Sequence, residues 1–188
     1  SAAILARTSS GTAMTMSVID GTGTTLTTSA ITYDAESGAN VIADAISRAG
    51  EGIGIEAKAV NSATLSGLTE AGTVAFKLTT QTADGDGTFT AVTKDISAVI
   101  TNQNDLSALV SAINGAQTTT GITAAFTTTG NKSSITLSTL DGRNIGIDTL
   151  AAGTAGSIKF DGTAVATGGS QMKTGTVAIT SARGEFST

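Results

Sequence analysis

The sequence predicts a strand-dominated α+β fold of two small modules, each with a β-hairpin, a short helix and a strand, and with the helices packed on one sheet face. Three observations lead to this fold class. Apolar residues recur mainly at every second position, the period of a half-buried strand. Two short segments switch to the helical period. Asp-Gly and Gly-rich turns separate the segments, because glycine tolerates positive φ.

The first hairpin is predicted between residues 14 and 33. Met14, Met16 and Val18 alternate with polar residues, and the turn Asp20-Gly21-Thr22-Gly23 follows them. A second, Thr-rich strand is expected to run from Thr24 to Tyr33. The pattern is typical of two antiparallel strands joined by a tight turn.

The first helix is predicted from Asn40 to Ala49, because its apolar residues fall on one helical face. Asn40 is the expected N-cap, and Gly50 is expected to end the helix in the left-handed conformation. A strand with one buried face should follow, because Gly54, Glu56 and Lys58 alternate with four apolar residues: Ile53, Ile55, Ala57 and Ala59.

The second module repeats this order. A strand around Val74–Leu78, the turn Asp84-Gly85-Asp86-Gly87 and a strand over Thr88–Val92 form its hairpin. Its helix carries apolar residues at i, i+3, i+4 and i+7, with Asn104 as the expected N-cap and Gly115 after the last of them: Leu106, Leu109, Val110 and Ile113. Further strands are predicted around Ile122–Phe126, Ile135–Leu137, Ile145–Ile147, Ile158–Phe160 and Val177–Ile179.

Because hairpin, helix and strand recur near residues 12–60 and 73–147, the order of elements indicates an internal duplication. The helices are too short to be stable alone, so each must pack on a sheet. The chain begins with Ser1 rather than Met, so we expect a processed chain or a fragment.

The composition excludes several classes of function. There is no Cys, no His, no Pro and no Trp, which removes disulfides, zinc–thiolate sites and the Ser-His-Asp triad. Aromatic residues make up 3% of the chain and the net charge is −5, so neither nucleic acid nor an anionic membrane is an expected partner. No apolar run is long enough for a transmembrane helix.

Asp84 and Asp86 are the residues that most resemble a calcium loop. Thr88 and Phe89 break the EF-hand ligand pattern, so a hairpin turn is the preferred interpretation. Other Asp-Gly turns, at Asp20, Asp141 and Asp161, are interpreted in the same way. We therefore expect no metal site and no cofactor.

Two further patterns could carry chemistry. Glycines at positions 50, 52 and 54 suggest a phosphate loop, but a helix precedes them and a strand follows, the reverse of a dinucleotide fingerprint. The carboxylate pairs Asp34 with Glu36 and Glu51 with Glu56 suggest a glycosidase, but the aromatic residues that line sugar sites are nearly absent. Solvated surface charge is the preferred interpretation, so no catalytic residue is predicted.

A resemblance to a known family rests mainly on residues 104–147. Asn104–Asn114, Thr120–Phe126, Ser134–Ser138 and Leu140–Ile145 resemble, in that order, the insert modules in the variable middle region of bacterial flagellins and hook-associated proteins. Asn40–Val60 repeats the helix–strand part, and Gly175–Phe186 resembles a flagellin surface hairpin. The long heptad-rich helices of flagellin termini have no counterpart in this sequence.

The resemblance implies the outer domains of a flagellin, secreted to the extracellular flagellum, with neighbouring flagellin subunits as partners and O-linked glycans as a further expected partner. Residues 1–68 and 151–188 would form one domain with both termini on the same side, and residues 69–150 a distal module. The isolated chain is expected to be a monomer. A secreted adhesin or phage-tail decoration module that binds glycan is the alternative, and a hydrolase is a third class.

Overall fold

A computed structural model of the protein describes residues 13–187. In this range three α-helices are present: Ala39–Gly50 (α1), Ser107–Gly115 (α2) and Gln117–Thr120 (α3). The first seven strands of the same range are Ser17–Asp20 (β1), Thr25–Thr27 (β2), Ile55–Ser66 (β3), Gly72–Ala83 (β4), Phe89–Ile100 (β5), Ile122–Thr128 (β6) and Asn131–Thr139 (β7). They are followed by Ile145–Ala152 (β8), Ser157–Phe160 (β9), Thr163–Ala166 (β10), Gln171–Lys173 (β11), Thr176–Ser181 (β12) and Gly184–Ser187 (β13).

The strands form three antiparallel sheets. The smallest has the order β13-β1-β2, and it places Ser17 opposite Ser187, so the two ends of the described residues lie together. The largest has the order β10-β9-β3-β7-β6, with β12 also paired to β3. The third has the order β11-β8-β4-β5. No helix within residues 13–187 is long and apolar enough to cross a membrane.

Buried apolar residues fall into two clusters. The terminal cluster combines β1, α1, the first half of β3 and β12, and its members include Val18, Ile46, Ile55 and Ile179. The central cluster combines the second half of β3 with β4 to β10 and α2, and it includes Leu65, Leu78, Leu109 and Phe160. The predicted fold class is confirmed: strands dominate, and the short helices pack against sheets. The boundary of the predicted domains stays a prediction.

The first hairpin is shorter than predicted. Its second strand, β2, ends at Thr27, and Thr28 turns inward so that its hydroxyl accepts the Met16 N–H at 3.0 Å. Pairing resumes only as an isolated bridge between Met14 and Ile31. The alternation of Thr-rich residues could not reveal this break, because threonine suits both an exposed strand position and a turn.

Three predicted helix ends are wrong. Gly38, not Asn40, is the N-cap of α1, and the Asn40 side-chain amide instead donates to the Gln81 carbonyl at 3.1 Å. Leu106, not Asn104, is the N-cap of α2. Gly50 is right-handed, with φ −92°, and the chain continues through a 3-10 turn over Glu51–Ile53, so Ile53 lies outside the strand that was predicted to contain it.

Gly54 ends this turn in the left-handed conformation at φ 75°. A side chain at Gly50 is excluded for another reason, since an added Cβ would lie 2.6 Å from the Ile55 Cβ. Glycine is therefore needed at both positions, but for close packing at the first and for backbone conformation at the second.

The two helix–strand units, α1 with β3 and α2 with β6, contain equivalent hydrogen bonds. The Ser47 hydroxyl accepts the Ala57 N–H at 2.9 Å and donates to the Ala57 carbonyl. In the second unit, Asn114 Oδ1 accepts the Ala124 N–H at 2.7 Å, and the Asn114 amide donates to the Ala124 carbonyl. We call each pair of hydrogen bonds, Ser47 with Ala57 and Asn114 with Ala124, a helix–strand clasp. In both clasps the strand residue lies ten positions after the helix residue.

The correspondence extends along both units without insertion. The same number of residues separates each member of the first unit from its counterpart in the second: Ile42 and Leu109, Ile46 and Ile113, Ser47 and Asn114, Gly54 and Gly121, Ile55 and Ile122, Ala57 and Ala124. Gly54 and Gly121 are both left-handed, and an arginine covers each, Arg183 and Arg143 respectively.

Candidate functional site

The acidic turns do not converge on a common point. In the β4–β5 turn, Asp86 Oδ1 accepts the Thr88 N–H at 3.0 Å and Asp84 Oδ2 accepts the Thr90 hydroxyl at 3.0 Å. Within residues 13–187, no three His, Cys, Asp or Glu side chains lie close enough together to hold a metal ion. The expectation that no metal is bound stays a prediction.

Hydrogen bonds from neighbouring hydroxyls, rather than catalytic partners, explain the lowered pKa values of several carboxyls. The Thr88 hydroxyl beside Asp86 and the Thr22 hydroxyl beside Asp20 hold the pKa of each carboxyl below its ordinary value. The Ser170 hydroxyl does the same to the pKa of Asp148. A lowered pKa keeps a carboxylate ionised, which is the opposite of what a general acid needs near neutral pH.

At Asp141, burial raises the pKa and the Arg143 guanidinium lowers it, with a net lowering. Arg143 Nε lies 2.9 Å from each Asp141 oxygen, and its Nη1 donates to the Thr120 carbonyl at 2.9 Å. Arg143 therefore connects the predicted Asp141-Gly142 turn to the last residue of α3.

The candidate carboxylate pairs lie in different surroundings. Glu51 and Glu56 line a cleft of about 580 Å³ together with Asp44 and Arg48. Asp34 lies in the loop before α1, where its N–H donates to the Gly87 carbonyl at 2.9 Å. The glycines at 50, 52 and 54 lie between α1 and β3, so the predicted order of helix, turn and strand is confirmed.

One face of the largest sheet carries a lattice of hydroxyls, which we call the hydroxyl face. Three directly paired rows join β3 to β7: Ser62 with Ser138, Thr64 with Thr136, and Ser66 with Ser134. Thr127 of β6 extends the lattice, with its hydroxyl 2.9 Å from Ser134 Oγ and 3.1 Å from Thr136 Oγ1. Charged residues lie beside these rows: Asp161 Oδ1 accepts the Thr64 N–H at 3.1 Å, and Lys159 is paired with Ser66.

A groove of about 460 Å³ lies on the third sheet. It follows a cross-strand row in which Thr93, Thr79, Gly146 and Met172 are paired in that order. Gly146 leaves room for two side chains that line the groove, because an added Cβ would lie 2.5 Å from Thr79 Oγ1 and 3.2 Å from Met172 Cε. The other lining residues are mostly small or polar: Thr80, Gln81, Ala91, Ile147, Asp148, Ser170 and Gln171.

The groove was not predicted from the sequence. A glycine inside a strand pattern, between Ile145 and Ile147, was the available signal, since such a glycine often marks a close approach of another group. The groove residues come from four strands that are distant in sequence, so only the sheet order assembles them.

Comparisons with known proteins found similar solved structures only. No protein-family model matches the chain, and no curated protein matches it. The D2-D3 domains of the flagellar cap protein FliD from Escherichia coli are 16% identical, with 68% of this chain and 94% of that chain covered and a TM-score of 0.28. The D2-D3 domains of FliD from Serratia marcescens are 14% identical, with 72% and 95% covered and a TM-score of 0.24.

Proposed function

We propose that the chain is a structural component of the bacterial flagellar filament, forming solvent-exposed outer domains of a flagellin. In this role it carries out no catalysis, holds no cofactor and is exported to the cell exterior. Its partners are neighbouring flagellin subunits, and it contributes to motility by setting the surface properties of the filament.

The observation that supports this proposal most is the role of the flagellin-like motif residues in the fold. Asp105 Oδ1 accepts the Ser107 N–H at 3.0 Å where α2 begins, Asn114 clasps Ala124, and Arg143 ties Asp141 to Thr120. The residues that carry the resemblance are thus those that fix one helix–strand unit. A motif that exists for folding, rather than for chemistry, fits a structural component.

The hydroxyl face supports a place on a filament exterior. A sheet face of Ser and Thr is compatible with a hydrated surface, and it offers hydroxyls to O-linked glycans outside the two buried clusters. Ion pairs elsewhere on the surface are exposed, as at Lys77 and Asp95, where the side chains are 48% and 84% exposed. Such pairs contribute little to stability, and they keep the surface soluble.

Immunogold labelling of cells that express the chain tests this proposal. Antibodies raised against the purified chain should decorate filaments along their whole length. Label confined to the filament tip would identify a cap protein, label at the base a hook-associated protein, and label on cells without flagella would contradict a flagellar role. A strain from which the gene has been deleted is the control.

The alternative, a glycan-binding adhesin or phage-tail module, is favoured by one feature, the groove on the third sheet with its amides and hydroxyls. A glycan array separates the two functions. Binding that is lost in Gly146→Val, whose side chain would displace Thr79 and Met172 from the groove, would support the adhesin, provided that the variant melts like the unmodified chain. No binding to any glycan would leave the flagellin proposal as the better explanation.

A further inference from the structure

Strand β3 belongs to both buried clusters. Its inward-facing residues Ile55, Ala57 and Ala59 lie in the terminal cluster, and Ala63 and Leu65 lie in the central cluster. A single regular strand of 12 residues therefore runs through both. The pairing to β12 ends at Val60 and the pairing to β7 begins at Asn61, so the boundary between the clusters falls where β3 changes its partner strand.

Asn61 occupies the inward position between the two halves of β3, and it is only 7% exposed. Its amide Nδ2 donates to the Arg143 carbonyl at 3.0 Å and to the Lys173 carbonyl at 2.9 Å. These two carbonyls belong to the chain segments that enter β8 and leave β11. The buried Asn61 side chain thus connects β3 to the segment before β8 and to the end of β11, at the boundary between the clusters.

Gln81, near the end of β4, makes a second connection. Its backbone carbonyl accepts the Asn40 amide at 3.1 Å, and its Oε1 accepts the Asn144 amide at 3.3 Å. Its own amide donates to the Glu36 carbonyl at 3.2 Å. Strand β4 is thereby joined to the beginning of α1, although its inward residues, such as Leu78, lie in the central cluster.

The tip of the β4–β5 hairpin makes the third connection. The Gly87 carbonyl accepts the Asp34 N–H at 2.9 Å, in the loop that precedes α1. The approach is close, since a Cβ added to Gly87 would lie 2.4 Å from the Thr32 carbonyl oxygen. The hairpin therefore extends from the central cluster to the loop beside the terminal cluster.

We propose that Asn61, Gln81, Asn40, Asn144 and the hairpin tip at Gly87 act as a clamp that makes the two clusters one cooperative folding unit. The chain then behaves as a single rigid body instead of two domains that move and unfold independently. This inference is independent of the proposed function, because it concerns contacts within one chain.

Urea unfolding with one optical probe in each cluster tests the clamp. Tyr33, the one tyrosine of the chain, packs against the terminal cluster and reports on it by fluorescence. The chain has no tryptophan, so Phe126→Trp, at a partly buried position beside the central cluster, provides the second probe. We expect the two midpoints to agree within about 0.3 M urea, with circular dichroism verifying that both proteins are equally stable. Separate midpoints would overturn the proposal.

Gly87→Ala, made with each probe, breaks the clamp at its tip, and Gly85→Ala is the matched control. Both glycines have positive φ, 91° and 87°, so the backbone strain is similar, but nothing lies within 4 Å of a Cβ added to Gly85. In Gly87→Ala the Tyr33 midpoint should fall below that of the introduced tryptophan by about 1 M or more, whereas in Gly85→Ala the midpoints should still agree. Agreement in both variants would overturn the proposal.

Native-state hydrogen exchange on the unmodified chain gives an answer even if Gly87→Ala fails to fold. The slowest amides of α1 and of β7 should have protection factors within about tenfold of each other, because both open only when the whole unit unfolds. A larger difference would show that one cluster opens alone, and it would overturn the clamp.

Discussion

Leu109 is fully buried in the central cluster, where α2 packs against β5 and β6. Its helical face packs toward the strand that carries Ile122 and Ala124, since α2 contacts β6 and all three residues belong to the same cluster. Its neighbour Ser111 is exposed, and its hydroxyl donates only to the Ser107 carbonyl of the same helix, at 3.1 Å. Substitutions at these two residues therefore distinguish the contribution of a buried position to stability from that of an exposed position on the same helix.

We predict that Leu109→Ala lowers the free energy of unfolding by about 2–5 kcal/mol, because the buried site cannot collapse completely around alanine. Ser111→Ala should change it by less than about 0.5 kcal/mol. Urea melts of the two variants measure both values. If Leu109→Ala were as mild as Ser111→Ala, the register of α2 described here would be wrong.

The Ser107 hydroxyl lowers the pKa of Asp105, and the Ser107 N–H adds to the effect. A carboxyl whose folded pKa lies below its unfolded value stabilises the fold above that value, and it loses this contribution as pH falls through the folded pKa. Asp105 should therefore titrate below 3.8, and Ser107→Ala should move its pKa upward. Carbon-detected NMR titration of the Asp105 carboxyl measures both values.

Stability against pH provides a second measurement of the same effect. The difference in unfolding free energy between the unmodified chain and Ser107→Ala should be constant near neutral pH. It should shrink as the pH falls below 3.8, because the Asp105 carboxyl is protonated first in the unfolded chain and, at lower pH, in the folded chain. A difference that persists unchanged at pH 2 would mean that the hydroxyl acts independently of the carboxylate.

At the scale of elements, the two helix–strand clasps fix each short helix in position on its strand, as a larger apolar interface would do for a longer helix. Helix α2 is short, and an isolated helix of this length is not stable in water. Two hydrogen bonds from the end of the helix to one strand residue fix its position along β6. The first unit reaches the same result with Ser47, a smaller side chain.

Asn114→Ala and Ser47→Ala should each destabilise the chain by about 1–2 kcal/mol, since each leaves the N–H and carbonyl of one strand residue without their side-chain partner. Similar losses in thermal melts would indicate that the duplicated contact works alike in both units. Losses as small as that of Ser111→Ala would count against a structural role for the clasp.

Turns with the same backbone conformation differ in what they contact. Gly130 and Gly142 both have positive φ, 82° and 69°, but a Cβ at Gly142 would lie 2.3 Å from the Ala59 carbonyl carbon, whereas nothing lies within 4 Å at Gly130. Gly130→Ala should cost about 1–2 kcal/mol, from backbone strain alone.

Gly142→Ala should cost about 1–3 kcal/mol more than Gly130→Ala, because β3 must shift to admit the methyl group. Denaturant melts of both variants give the comparison. Equal costs would imply that the Asp141-Gly142 turn is free to move away from β3.

At the scale of the whole molecule, the surface determines the behaviour in solution. The net charge is −5, and the large apolar side chains exposed within the described range are few: Ile19, Val60, Val99, Leu140 and Met172. We predict that the isolated chain is a monomer at tens of micromolar, measured by sedimentation velocity. Filaments or a dominant stable oligomer would contradict this prediction.

The sequence alone determined most of the local structure. Alternation of Ile55, Ala57 and Ala59 predicted the buried face of β3, and the spacing of Leu109 and Ile113 predicted the buried face of α2, because these periods follow from backbone geometry. Composition alone excluded whole classes of chemistry, since residues that are absent cannot act. The helix ends were predicted less well, because Asn40 found a partner in a distant strand instead of capping its own helix.

Only the tertiary structure decided how the pieces are joined. The alternation through Ala59 and Ala63 puts Asn61 on the inward face of β3, but nothing local reveals that its amide bonds to two carbonyls far away in the sequence. The groove beside Gly146 likewise depends on which strands become neighbours. Periodicity reports which face of an element is buried, but it carries no information on what covers that face. Long-range pairing alone therefore decided that the first half of β3 joins the terminal cluster and the second half joins the central cluster.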